Sequence, residues 1–176
     1  MLEPSDGDRY LLRVPRREGE TLIWEDTTTG VPPLDAPPIE VEMEAMKMEA
    51  LGLLPMRKAH LDLDFFMLPA PVMDQGDRPY FPYMLMVVDA ESGMFLGSEL
   101  LQPFPSLEAM WGSVPETLTD RLSGVELLPE KISVVSDLLF ALLEPLAEEA
   151  GFELELAPSL PGLEAVREGL LETFGG

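Results

Sequence analysis

The sequence predicts an α/β domain: a five-stranded mixed sheet in the order 3-2-1-4-5 with helices on both faces, behind a small β-containing N-terminal segment. Three observations predict it. Residues 78–101, RPYFPYMLMVVDAESGMFLGSELL, read as two strands joined at the tight turn Asp89-Ala-Glu-Ser-Gly93. Residues 60–68 alternate as a strand that carries apolar groups on both faces, as a central strand does. Downstream the pattern becomes strand, helix, strand, helix, and a β–α–β step needs a right-handed crossover to a parallel neighbour. The strand at 60–68 therefore lies centrally, beside the fourth strand.

Taken in order, residues 10–14 and 21–24 read as short strands around a basic turn at Pro15-Arg-Arg-Glu-Gly19, and Thr27-Thr-Thr-Gly30 closes that unit. Residues 31–38 hold four prolines and read as an extended connector. They set a boundary between an N-terminal segment, residues 1–38, and the main domain, residues 39–176. Ile39, Met43, Met46 and Ala50 then recur at helical spacing up to a stop at Gly52. After the strand at 60–68, residues 69–82 read as a proline-containing loop ahead of the hairpin strands at 83–88 and 94–101. Residues 105–122 read as helical but interrupted, because Pro115 fits the first turn of a new helix and not the middle of an old one.

KISVVS, at 131–136, is nearly all apolar, as a buried parallel strand is. A helix is predicted over 137–150, ended by Gly151. A strand follows over 152–156, with Phe152, Leu154 and Leu156 inward, and a last helix over 161–174 buries Leu163, Val166 and Leu170.

Composition narrows the function. Hydrophobic residues make up 46% of the 176, enough to fill a core, and no run approaches the length of a membrane helix. Residues 1–6 lack the basic start and apolar core of a secretion signal. Cysteine is absent, which removes disulfides, thiolate catalysis and cysteine metal sites together. The plain expectation is a cytoplasmic protein of bacterial type with no membrane partner. The net charge is −22, and residues 61–176 carry 21 acids against Arg78, Arg121, Lys131 and Arg167. Such a field repels phosphate backbones, so no nucleic-acid partner is expected.

The hairpin corner Asp89-Ala-Glu-Ser-Gly93, the following Phe95-Leu-Gly97 and the segment Pro129-Glu-Lys-Ile132-Ser-Val-Val-Ser-Asp137 resemble the catalytic core of retroviral-type integrases and transposases over about residues 58–172. That resemblance implies an RNase H-like fold. It also implies a carboxylate triad: Asp64 (or Asp62 beside it), Asp137, and one of Glu164, Glu168 or Glu172. In such cores the carboxylates hold two magnesium ions that clamp the attacking and leaving oxygens of a phosphodiester. The chain departs from the pattern after the second aspartate, where Leu138-Leu139 stands in place of Asn-Gly. Arg-Pro-x-x-Pro, the Asp-x-x-x-Gly hairpin and Leu160-Pro-Gly-Leu163 are also similar to an uncharacterised bacterial domain family of unknown function, which implies a fold and no activity.

The residues themselves offer little other chemistry. His60 is the only histidine and stands beside Arg57 and Lys58, and neither Ser92 nor Ser136 has the glycine context of a nucleophile elbow. Tyr80, Phe81 and Tyr83 form the best candidate for an exposed aromatic interaction surface. Asp137 is also suited to cap a helix, with Ser136. The expected function is a non-catalytic interaction or ligand-binding module that uses no cofactor, meets a protein partner of unknown identity, and is a monomer or homodimer. The alternatives are a magnesium-dependent nuclease or phosphotransferase with Asp64 and Asp137 as metal ligands, and an acidic nucleic-acid mimic.

Overall fold

The computed structural model describes residues 9–30, 38–41, 43–73 and 79–174. Most of the proline-rich connector and Arg78 lie outside them. The chain divides into two compact units, residues 1–37 and 38–176.

The first unit is an antiparallel ribbon of β1 (Arg9–Glu18) and β2 (Thr21–Gly30), in unbroken register from Arg9↔Gly30 to Glu18↔Thr21. Both strands are longer than expected. Pro15, Arg16 and Arg17 pair with Trp24, Ile23 and Leu22, and Thr27–Thr29 are strand too. A proline is tolerated here because each strand of a two-stranded ribbon has a free edge. The turn is instead at Gly19, whose φ of +65° suits glycine. Arg13–Asp26 and Arg16–Glu25 pair across the ribbon, and every described residue of it is exposed.

The second unit is built on five strands in the order β5-β4-β3-β6-β7. They are β3 (Met56–Met67), β4 (Tyr83–Asp89), β5 (Phe95–Leu101), β6 (Leu128–Val134) and β7 (Glu153–Leu156). β4 is antiparallel to β3 and β5, while β6 is parallel to β3 and β7. The β4–β5 turn forms as its residues dictate. Asp89 Oδ1 accepts from the Ser92 amide at 2.8 Å and hydroxyl at 2.6 Å, and Gly93 supplies φ +67°.

Alternation along β3 divides the core in two. Leu61, Leu63 and Phe65 face one side, where they meet Leu118, Leu122, Leu139, Leu143 and Leu146 from α3 (Val114–Gly124) and α4 (Asp137–Ala150). This side also takes α1 (Ala45–Gly52) and α2 (Leu107–Gly112), through Leu51 and Met110. The other side has Met84, Met86 and Val88 beneath α5 (Pro161–Phe174) and its Leu163.

Boundaries follow local chemistry. Ser136 Oγ caps α4 by accepting from the Leu139 amide at 3.3 Å, so Asp137 is the first helical residue and not the cap. Gly151, at φ +83°, ends the helix. Pro115 sits in the first turn of α3. The helix before β3 is a correction: it starts at Ala45, and Met46 is 80% exposed. Met43, Met48 and Leu51 pack on the core instead of Met46 and Ala50. Residues 39–41 run past α2, where the missing side chain of Gly112 admits the Glu40 carbonyl. Leu156 also departs from expectation, being 45% exposed at the end of edge strand β7. No helix among the described residues is long and apolar enough to cross a membrane.

Candidate functional site

The period of two that sends Leu61, Leu63 and Phe65 one way sends His60, Asp62, Asp64 and Phe66 the other, onto the α5 face. Parallel register extends those polar positions sideways: His60 lies beside Lys131 and then Glu153, and Asp62 beside Ser133 and then Glu155. Two polar rows thus cross β3, β6 and β7.

Asp64 is 6% exposed and fully engaged. Its Oδ2 accepts from Arg167 Nη1 of α5 at 2.8 Å, and its Oδ1 from the Phe65 amide at 2.9 Å. The same guanidinium lies 5.6 Å from the Phe66 ring centre. Burying a carboxylate is costly unless a cation pairs with it, and for Asp64 the helix supplies that cation.

The other carboxylates expected to join Asp64 do not gather round it. Asp137 is exposed at the start of α4, and Glu164, Glu168 and Glu172 are exposed on α5. Among the described residues no group of three or more His, Asp or Glu is placed to hold a metal ion. The aromatic candidates also separate. Phe81 is 45% exposed, whereas Tyr80 bridges to Val72 and Tyr83 stacks inward, its ring centre 5.4 Å from Phe65 and 6.1 Å from Trp111.

The residues brought together are His60, Ser133, Glu155 and Lys131. Ser133 Oγ, 1% exposed, lies 2.7 Å from His60 Nε2 and donates to Glu155 Oε2 at 3.0 Å. A hydroxyl has one proton to give, and Ser133 gives it to Glu155, so Ser133 accepts from His60 Nε2–H. Lys131 Nζ meets Glu155 at 2.8 Å and Glu153 at 3.2 Å. Hydrogen bonds from Lys131 and then Ser133 hold the Glu155 carboxyl below its usual range, and its two glutamates raise Lys131. Asp62, 6% exposed and 4.0 Å from His60 Nε2, is pushed up by burial, against the pull of His60 and with Asp89 and Glu155 adding to the rise.

In front of this network lies a pocket of about 290 Å³ lined by Lys58, Ala59, His60, Glu91, Glu130, Lys131 and Glu153. It lies where β3 carries one residue too many. Arg57 is opposite Pro129 and His60 opposite Lys131, so Lys58 and Ala59 together face Glu130, and the strand bulges. The Ala90 amide donates to the His60 carbonyl at 2.8 Å, which ties the hairpin turn and Glu91 to the same corner. A period-two pattern does not reveal a bulge, so His60 stands out in the sequence without its partners. Only the closeness of Lys58 and His60 hinted at a shared site.

A family model described as a domain of unknown function (DUF6930) matches residues 47–171, which span the whole sheet and α2 to α4 with most of α5. The chain belongs to this family. No curated protein matches it.

Proposed function

We propose that the chain is a non-catalytic, RNase H-like binding module. The strand order β5-β4-β3-β6-β7, with a β4–β5 hairpin and a parallel β3–β6–β7 half, supports the kinship. The observation that carries the loss of catalysis is the Asp64–Arg167 pair. A two-metal phosphodiester site needs its first carboxylate free to bridge divalent ions; the guanidinium occupies that carboxylate and balances its charge. A polar corner open for binding lies in front of His60, away from Asp64.

The test is thermal unfolding with millimolar magnesium or manganese, alongside a nuclease assay. A ligand that binds only the folded state raises its melting temperature. The expected result is no shift beyond that of sodium chloride at matched ionic strength, and no cleavage. A metal-dependent rise that disappears in Asp64→Asn, or cleavage abolished by that change, would restore the integrase-like reading.

A further inference from the structure

Resting on the binding-module reading, we propose that the pocket at the β3 bulge takes a small dibasic amino acid, with its two ammonium groups towards Glu91 and Glu130 and its carboxylate towards Lys58. The volume, about 290 Å³, is at the lower end of small-molecule sites, which run from roughly 300 Å³ upward.

The charges on the wall select the ligand. Lys131 is satisfied by Glu153 and Glu155. Of the other lining groups, Glu91, Glu130 and Lys58 carry formal charge, and none is in an ion pair among the described residues. Two uncompensated carboxylates and one uncompensated ammonium are complementary to two cations and one anion on a single molecule. A plain diamine would leave Lys58 without an anion, and a dicarboxylate would oppose both glutamates.

Phosphate esters are disfavoured by position. The pocket lies at the start of β6 and β7, whereas α4 and α5 begin beyond the far ends of those strands. No helix N-terminus among the described residues therefore serves it, and anion binding has no helix dipole to use. The charge of −22 raises the local concentration of cationic ligands as well. His60, fixed through Ser133, contributes its ring to the pocket wall.

Because His60 is the only histidine, its imidazole Cε1–H resonance is a single reporter at the pocket wall. The full chain is titrated at low salt with L-lysine, Nα-acetyl-lysine, cadaverine and glutarate. A saturable shift is expected with lysine, weaker binding of acetyl-lysine and cadaverine, and none with glutarate. Lys58→Ala, an exposed site whose loss leaves the core intact, should reduce lysine affinity a few-fold, as for one exposed ion pair, and remove its advantage over cadaverine. Glu91→Gln should remove the advantage over acetyl-lysine.

Equal binding of lysine and cadaverine by the unaltered protein would overturn the assignment to Lys58. Preference for glutarate, or no saturable shift with any of the four, would overturn the ligand class. Neither result depends on metal, so the proposal can fail while the loss of catalysis stands, and the reverse.

Discussion

Asp62 and Asp64 differ by two positions on one strand and by their electrostatic fate. Asp64 has a guanidinium; Asp62 has a half-buried imidazole 4.0 Å away and no ion pair with Lys or Arg. Desolvation is the first cause of the rise in the Asp62 pKa above its ordinary 3.8. The sign for stability follows. Between 3.8 and the raised folded value the native state keeps a proton that the unfolded chain has released, so stability falls as pH climbs through that window. Asp62→Asn removes the charge that must be desolvated. The variant should be more stable than the parent at pH 7, with the difference shrinking towards zero below about pH 3.8. Denaturant melts at pH 3.5, 5 and 7 measure this; a difference that does not change with pH would mean that ionisation of Asp62 is not its source. Alternation in the sequence was sufficient to place both aspartates on one face. It could not assign Arg167 to Asp64, since that pairing depends on how α5 crosses the sheet.

Among the elements of the five-stranded sheet, β5 is an edge strand whose Leu100 and Phe95 are 59% and 45% exposed. Such edges recruit other strands unless they are blocked. Here the block comes from α3. Arg121 donates to the Leu96 carbonyl and lies 3.6 Å from Glu99, across a strand that bulges between its pairings with Val87 and Val88. Gly97 makes room, since at φ +146° an added Cβ would run into the guanidinium. Arg121→Ala should leave the Leu96 carbonyl facing outward and yield concentration-dependent self-association in light scattering. A variant that keeps the parent's mass at every concentration would mean that Arg121 does not guard the edge. Gly97→Ala should also cost about 1–3 kcal/mol through backbone strain. The sequence made the β4–β5 hairpin legible, because Asp89, Ser92 and Gly93 specify the turn locally. It did not make α1 legible: the Met43–Met46 spacing implies a longer helix, but residues 39–41 are outside any helix where Gly112 lets the backbone approach.

At the scale of the whole molecule, the two units differ in what holds them. Both hydrophobic clusters, on the two faces of the sheet, draw every member from residues 43–171. The ribbon of β1 and β2 buries none of its residues, and Tyr10, Leu12, Leu22 and Trp24 are each about half exposed. A two-stranded ribbon without a covered face is marginal in water, whereas a sheet of three or more strands packed against helices is independently stable. Residues 38–176 alone should therefore keep a single cooperative thermal transition within a few degrees of the full chain, while a peptide of residues 1–37 should lack a stable β signature by circular dichroism. The excess acid of residues 38–176, 25 carboxylates against 7 basic side chains, opposes its own compaction. Added salt should accordingly raise the melting temperature of the truncated form. A broad, non-cooperative melt of residues 38–176 would show that the sheet and its two cores do not suffice to fold this unit.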